Sequence, residues 1–457
     1  MSQTLEQMLP RTRPVVRTFL WGTVSAGYLR IAGAGLSLVS TLVLARYLGY
    51  AAFGEFAFAS ATVQFMTILA KLGLDNTSLR FVAQYRQSEQ IERLWGFVRT
   101  AANASGLASC ALALLVAVST LVFQDSFSGQ LSTCLLASAG LLAFLPLLQL
   151  YEAMLIALGR SIQGLLSPVI TPLLFMALLF VSSKLFPKPL GSPTAMLLYI
   201  TAAMGAFLVA RALLRQSLAP LKNRFTSTET VSSTWFAMAM PMLALHVLVY
   251  IQGQSATLFC GLFLSTEESG LYATASRIAG VALLGLQSVV TLASPRMAAL
   301  HGAACEDELR KYVQLCSWAS LASCLPLALV LALAGRPLLA FFGPEFVAGY
   351  VPMLLLLVGT VVCAATGPVA QLLYMTGHYN ACLKLYAVIA GLAVVSQVLL
   401  IPHYGILGAA ITTTGAQVVW NLALVYLAKS KLNVNALVQI ASLTRYLRQW
   451  QAHRVLK

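Results

Sequence analysis

The fold of this 457-residue chain is decided by a stretch that occurs twice, as TLVLARYLGYAAFGEFAFAS at residues 41–60 and as TLFCGLFLSTEESGLYATAS at residues 257–276. Laid over each other with a shift of 216 residues, the two copies agree at seven positions, among them Gly54 with Gly270. Any two apolar stretches rich in Leu and Ala agree at some positions by chance. This match alone therefore only suggests an internal repeat.

A second pair of glycines supports the repeat. Gly159 and Gly377 each follow an apolar segment, and they lie 218 residues apart, which is nearly the same shift. Six apolar segments fall in each half. Because six is an even number, both halves begin on the same side of a membrane, and the sequence predicts a parallel repeat.

Composition places the chain in lipid. Mean hydropathy is +0.82, with 59% hydrophobic and 9% charged residues, far from the averages of soluble proteins. A helix that crosses a bilayer needs about 20 apolar residues. The sequence predicts an all-α polytopic membrane protein with twelve transmembrane helices around a central cavity, at residues 18–45, 53–70, 100–123, 131–155, 162–183, 193–210, 231–264, 266–294, 312–335, 346–376, 381–401 and 404–428.

These spans divide the chain into five parts. We expect a cytoplasmic N-terminal segment at 1–17, a six-helix bundle at 18–215, a polar cytoplasmic linker at 216–230, a second bundle at 231–428 and a basic cytoplasmic tail at 429–457.

The distribution of basic residues predicts the orientation. With both termini in the cytoplasm, 23 of the 29 Lys and Arg residues lie on the cytoplasmic side, as the positive-inside rule requires. Two of the others lie inside spans, and the four predicted on the outer side are Arg46, Lys184, Lys188 and Arg336. The net charge of +15 therefore reflects topology and contact with anionic membrane lipids, and it needs no nucleic acid.

Two arginines interrupt predicted spans near the middle of the bilayer. Arg30 lies some twelve residues into the first span, about 18 Å deep. Ser265 and Glu268 form a capping box that would begin the eighth helix, which places Arg277 about ten residues, or roughly 15 Å, along it. Such cations face a cavity or a partner. We interpret both as ligands for an anion, although snorkelling or pairing with a carboxylate would also accommodate them.

Other polar residues are weaker candidates. The repeat shift places His246 on Arg30, and a histidine there could carry a coupling proton or simply be hydrogen-bonded. Glu152 lies near the cytoplasmic end of the fourth span, where it could reach a neighbouring helix or snorkel to water. Lys71, Asp75 and Arg80 follow the second span and form either a cytoplasmic entrance or a set of headgroup contacts.

Motifs of catalysis are missing from the sequence. It contains no G-x-x-x-x-G-K-[ST] phosphate loop and no H-E-x-x-H, and its five histidines have no metal-ligand spacing. We therefore expect a transporter rather than an enzyme, with no metal and no cofactor, and with coupling to protons or sodium left open. A membrane glycosyltransferase would need more acidic residues at its loop ends.

Five short motifs are spread along the chain: Ala45-Arg46-Tyr47-Leu48-Gly49, Phe53-Gly54-Glu55-Phe56, Leu72-Gly73-Leu74, Leu158-Gly159-Arg160 and Phe342-Gly343-Pro344-Glu345-Phe346. Together with the twelve predicted spans, they resemble the polysaccharide or O-antigen flippases (Wzx-type) of the multidrug/oligosaccharidyl-lipid/polysaccharide (MOP) superfamily. The resemblance covers about residues 15 to 430.

The resemblance implies a function. Proteins of this kind move an undecaprenyl-pyrophosphate-linked oligosaccharide, such as an O-antigen, exopolysaccharide or capsule repeat unit, from the cytoplasmic to the periplasmic leaflet of the bacterial inner membrane by alternating access. Arg30 and Arg277 would correspond to the family's cationic cavity, and a polysaccharide polymerase and a chain-length regulator would be partners. Rivals in the superfamily are a cation-coupled multidrug exporter, which would be expected to carry a carboxylate in its first half, and a lipid II flippase, which would have fourteen spans. A scaffold that transports nothing also remains open.

Overall fold

The computed structural model describes residues 2–124, 128–185, 191–222, 232–303 and 305–439, and only the backbone of residues 2–28, 30, 31, 221, 222, 232, 291, 292, 295, 298 and 299. All regular structure in these ranges is helical. The helices are α1 (Ser2–Ala70), α2 (Leu74–Gln87), α3 (Ile91–Val122), α4 (Gly129–Leu142), α5 (Leu145–Ala157), α6 (Ser161–Gly164), α7 (Ser167–Leu185), α8 (Ser192–Lys222), α9 (Ser232–Phe263), α10 (Thr266–Val281), α11 (Leu284–Gly302), α12 (Glu306–Ala340), a 3-10 helix (Pro344–Gly349), α13 (Tyr350–Thr366), α14 (Val369–Met375) and α15 (Tyr379–Leu432).

Twelve membrane spans follow from these helices. Within the described ranges, nine helical segments are long and apolar enough to cross a bilayer. Tyr379–Leu432 has 54 residues, a rise of about 81 Å, which is far more than one span can use. A break at Gly405 (φ 58°, ψ −143°) divides α15 into two spans, and a break at Gly49 (φ 73°, ψ 179°) divides α1 in the same way. These two divisions raise the count in those ranges from nine spans to eleven. The pair α10 and α11, bent by 50°, supplies the twelfth span, so the predicted all-α polytopic fold is confirmed.

Breaks inside spans are the main difference from the predicted elements. After the second span, the chain turns at Leu72 (φ 53°) and Gly73 (φ 72°) and continues as the polar helix α2, in a segment that the sequence assigned to a cytoplasmic connection. The fourth span is interrupted between α4 and α5, and the tenth between α13 and α14. Hydropathy does not report the interruptions of the fourth and tenth spans, because both sides of each of these two breaks remain apolar.

The paired glycines at the ends of the fourth and tenth spans adopt the same conformation. Gly159 has φ 75° and Gly377 has φ 81°. The N–H group after each glycine donates to the carbonyl five residues earlier, at 3.0 Å for Arg160 and 2.9 Å for His378. This is the hydrogen bond of a Schellman C-cap, so the structure confirms both predicted helix ends.

Contacts divide the chain into two compact units that do not coincide with its two sequence halves. The first unit comprises Met1–Leu48 and Thr62–Val247, and the second comprises Gly49–Ala61 and Leu248–Lys457. Each unit thus contains a short segment from the other half of the sequence. The predicted domain boundaries stay a prediction, since residues 223–231 in the predicted linker and 440–457 in the predicted tail lie outside the described residues.

In the first unit, the beginning of α9 packs against α2 and α3. The Trp235 side chain, 1% exposed, donates its indole N–H to the Tyr85 hydroxyl at 2.9 Å, and its ring lies edge-on to Phe97 with centroids 5.3 Å apart. Gly73 lets the backbones approach, because a Cβ atom at that position would overlap the carbonyl oxygen of Ala239. These contacts hold residues 232–247 in the first unit.

In the second unit, the two copies of the repeat touch at equivalent residues. A Cβ atom built on Gly270 would lie 2.7 Å from the Cα of Gly54, and one built on Gly54 would overlap the carbonyl oxygen of Thr266. Small residues allow this close approach of two helix backbones. Beside the contact, the rings of Tyr50 and Phe53 lie 5.4 Å and 5.6 Å from the ring of Phe346.

An extended segment after α15 closes one end of the second unit. Gln314 donates to the carbonyls of Asn435 and Leu437, and the Ser317 hydroxyl donates to the carbonyl of Ala436 at 2.7 Å. Buried backbone carbonyls need such donors. Residues 433–438 are thereby fixed onto α12.

Replacing Gly270 tests the contact between the repeats. We expect Gly270→Ala to lower the thermal unfolding temperature of the purified protein, because an overlapping methyl group costs about 1–3 kcal/mol. Gly280→Ala in the same helix is the matched control, since nothing lies within 4 Å of a Cβ there. It should gain up to about 1 kcal/mol of helix propensity. Equal melting temperatures for the two variants would contradict this account of the contact between the two repeats.

Candidate functional site

A buried ion pair lies at the turn between the second span and α2. The Lys71 ammonium is 2.6 Å from Oδ2 of Asp75, and the two side chains are only 11% and 13% exposed. Lys71 follows the end of α1, and Asp75 lies in the first turn of α2, where a carboxylate is favoured by the helix dipole. The break at Gly73 therefore places the pair within a compact core rather than in an open loop.

A histidine from the other half of the sequence completes the cluster. His246 on α9 has its Nε2 atom 2.9 Å from Nδ2 of Asn76, and its Nδ1 atom 3.9 Å from Oδ1 of Asp75. With the Asn76 amide donating to Nε2, the ring proton of the neutral imidazole lies on Nδ1, which faces the carboxylate. We call Lys71, Asp75, Asn76 and His246 the charge cluster.

Asp75 is ionised in this environment. Burial by itself would raise the pKa of its carboxyl group, but the Lys71 ammonium, assisted by His246 and the Asn76 N–H, brings that pKa below its ordinary value. The ion pair is therefore intact at neutral pH, and its stabilisation is lost only as the pH falls through the lowered pKa. Oδ1 of Asp75 is buried without a hydrogen-bond partner in the described part of the chain. This oxygen is the one that faces His246.

The structure separates the remaining predicted residues of the first unit. Glu152 on α5 is half-buried, accepts a hydrogen bond from Ser167 on α7 and interacts electrostatically with Lys71. It thus reaches a neighbouring helix, one of the two alternatives for this residue. Arg80 is exposed, and its guanidinium lies 3.4 Å from the sulfur of Met238. Lys71 and Asp75 are brought together with His246, and Arg80 lies apart from them.

The two central arginines belong to different units. Arg30 lies within α1 of the first unit, and its side chain is outside the described residues. Arg277 lies on α10 of the second unit with an exposed side chain, about 17 Å along the helix from Thr266. The predicted start of the eighth helix at Ser265 is confirmed, because the Ser265 side chain caps α10 by accepting the N–H of Glu268 at 3.2 Å.

Sequence reasoning missed a polar network inside the second unit. The Ser255 hydroxyl donates to Gln397 at 2.8 Å, and the hydroxyls of Tyr272 and Thr413 are 2.8 Å apart, with all four residues buried. It also gave no weight to Glu55, a carboxylate that is only 8% exposed. The partners in the network are more than 140 residues apart, and no local pattern in the sequence announces them.

No metal site is apparent in the parts of the chain that the structure describes. Among those residues, no group of three or more His, Cys, Asp or Glu side chains is arranged to hold a metal ion.

Twelve apolar spans with charged and polar side chains buried among them define a multi-pass helical membrane protein. The chain belongs to the polysaccharide biosynthesis protein family, whose sequence profile matches residues 19–301, more than half of its length. No curated protein matches the sequence significantly.

Solved structures with this fold are transporters of the MOP superfamily. The lipid II flippase MurJ in an inward closed conformation has a TM-score of 0.68 at 15% identity, over 90% of this chain and 87% of its own. A mutant of the Vibrio cholerae MATE transporter VcmN has a TM-score of 0.63 at 17% identity, over 91% and 97%. A MOP superfamily transporter from Pyrococcus furiosus has 0.57 at 14% identity, over 90% and 95%. At these identities the likeness concerns the fold.

Breaking the ion pair tests whether the charge cluster stabilises the first unit. We expect Asp75→Asn to cost about 3–5 kcal/mol, because it leaves a buried ammonium without its carboxylate. The double variant Lys71→Met with Asp75→Leu should recover most of that loss. Thermal unfolding of the purified variants measures both effects.

The matched control is a pair with the same spacing on the surface. Arg310 and Glu306 are also four residues apart, at 3.4 Å, but their side chains are 37% and 70% exposed. Glu306→Gln should therefore cost less than about 1 kcal/mol. An Asp75→Asn variant as stable as Glu306→Gln would refute the stabilising role.

Proposed function

We propose that this protein is a flippase that moves an undecaprenyl-pyrophosphate-linked oligosaccharide from the cytoplasmic to the periplasmic leaflet by alternating access. The observation that carries the proposal is membership of the polysaccharide biosynthesis family in a chain with the MOP transporter fold. The repeat unit would belong to an O-antigen, an exopolysaccharide or a capsule, and the protein would lie in the bacterial inner membrane with both termini in the cytoplasm.

Arg30 and Arg277 are the proposed ligands of the diphosphate. A diphosphate leaving water needs charged donors, and the planar guanidinium matches phosphate oxygens in a bidentate geometry. Support comes from Arg277, whose side chain is exposed on a helix that begins at a capped turn about 17 Å away. The polyprenyl tail would stay in lipid, since burying its apolar surface in a polar site gains nothing.

We assign energy coupling to the charge cluster. The Nδ1 atom of His246 lies 3.9 Å from a buried carboxylate oxygen of Asp75 that has no hydrogen-bond partner in the described ranges. A proton bound at His246 would be attracted by Asp75 and repelled by Lys71, so its binding would depend on the position of α9 relative to α2. This favours protons over sodium. Glu152, which interacts with Lys71, is a second candidate.

The rival functions make different demands on the substrate. A multidrug exporter of the same superfamily would move cationic amphiphiles, and a lipid II flippase would move a peptidoglycan precursor. The partners that we expect are anionic membrane lipids, a polysaccharide polymerase and a chain-length regulator. Deletion of the gene should leave lipid-linked oligosaccharide on the inner leaflet, and mass spectrometry of the accumulated lipid would name the sugar. Accumulation of lipid II, or a change only in drug efflux, would favour a rival.

Substituting the central arginines tests their role directly. Arg30→Ala and Arg277→Ala should each reduce surface polysaccharide by about 10- to 100-fold at normal protein level, since a charge-assisted contact contributes about 1.5–3 kcal/mol. The Lys variants should keep part of the activity, because they retain the positive charge but lose the planar guanidinium that binds phosphate oxygens in a bidentate way. Arg310→Ala, at an exposed surface pair, is the control and should export normally. Normal export by Arg277→Ala would remove this residue from the site.

A further inference from the structure

A pocket of about 580 Å³ opens between α1 and α7 in the first unit. This volume is within the range of sites that hold a small ligand, roughly 300–1,000 Å³. Its lining is Leu42, Val43, Arg46, Tyr47, Met176 and Phe180. Leu42, Val43, Arg46 and Tyr47 lie on one face of α1, and Met176 and Phe180 lie on the facing side of α7. Four of these six side chains are purely apolar.

The two helices touch above and below the pocket. At one end, a Cβ atom on Gly33 would lie 3.0 Å from the Cβ of Pro168, which is close packing. At the other end, the Tyr47 hydroxyl lies 3.4 Å from the Ser183 hydroxyl. Between these contacts the helices leave a crevice that the structure does not fill.

Two cations lie at the end of the pocket next to Tyr47. Arg46 lines the pocket itself. The Lys184 ammonium lies 5.8 Å from the centroid of the Phe180 ring, which also lines it. Only four basic residues are predicted on the outer side of the membrane; of these, Arg46 lines the pocket and Lys184 lies beside a ring that lines it. Snorkelling toward headgroups does not by itself bring cations from the first and fifth spans together.

We infer that this pocket is a second lipid site, which holds a polyprenyl diphosphate in the outer leaflet with its diphosphate at Arg46 and Lys184 and its tail along Met176 and Phe180. The inference rests on the proposed function and extends it to the site where the translocated lipid is held. A diphosphate carries more than one negative charge, so it matches a pocket with two nearby cations better than the single charge of a phosphodiester phospholipid does. Basic pockets between transmembrane helices recognise lipid headgroups in this way.

Binding of a sugar-free probe tests the site independently of transport. The full-length protein would be placed in phosphatidylcholine nanodiscs and titrated with radiolabelled polyprenyl diphosphate. Arg46→Gln should weaken binding about tenfold by removing a charged phosphate ligand. Met176→Trp should weaken it about as much by filling the crevice.

Matched controls separate the pocket from general effects. Arg336→Gln removes another predicted outer cation, which stacks on Tyr350 in the second unit, and Leu173→Trp adds bulk to an exposed position of α7. Both should bind the probe within about twofold of the unsubstituted protein. Arg46→Gln changes a charge without altering packing, so it remains informative if Met176→Trp fails to fold.

Two results would overturn the inference. One is unchanged probe affinity in both Arg46→Gln and Met176→Trp. The other is displacement of the probe by an equal amount of phosphatidylglycerol, which would make the pocket a site for bulk anionic phospholipid. If either occurs while deletion of the gene still causes lipid-linked oligosaccharide to accumulate, the proposed function stands and only the second site is lost. If no such lipid accumulates, the proposed function fails whatever the probe does.

Discussion

Close approach of helix backbones is the constraint on which this structure depends. In a bilayer, apolar side chains gain little by leaving lipid for protein, so helix association depends on van der Waals packing and on hydrogen bonds between helices. Gly54 and Gly270 allow two helices to meet backbone to backbone at equivalent positions of the repeat, and Gly73 does the same for α2 and α9. Both places join segments from different halves of the sequence, and both therefore determine which residues each unit contains.

The two units differ in the charged and polar side chains that they bury. In the first unit, Lys71 and Asp75 are buried against each other, and His246 extends the pair. In the second, the carboxylate of Glu55 is buried, and the other buried polar side chains are mainly neutral ones such as Ser255 and Gln397. A buried ion pair is costly to desolvate and is seldom the most stable solution for a core. Its presence beside a helix break is better explained by a role in function than by stability alone.

Much of the fold could be predicted from the sequence, because hydropathy, capping and charge asymmetry are local signals. The number of spans, the N-cap at Ser265 and the helix ends at Gly159 and Gly377 all follow from residues close together in the chain. The charge cluster could not be predicted in the same way. Asn76 and His246 are 170 residues apart, and only the tertiary packing of α9 against α2 brings them together. The sequence also grouped Arg80 with Lys71 and Asp75 because they are near one another in the chain. In the structure Arg80 is exposed beside Met238, whereas Lys71 and Asp75 are buried against each other.

The extended segment after α15 limits how the protein can be shortened or tagged. A truncation or a reporter fusion placed directly after Leu432 would keep every membrane helix, yet it would remove the carbonyl groups that Gln314 and Ser317 bind. Gln314 would then lose its hydrogen bonds to Asn435 and Leu437, and Ser317 would keep the carbonyl of Val313 in its own helix but lose that of Ala436, which destabilises the packing on α12. Fusions used to map the location of the C-terminus should therefore be joined beyond residue 439, so that the reporter senses the native chain and not a loosened one.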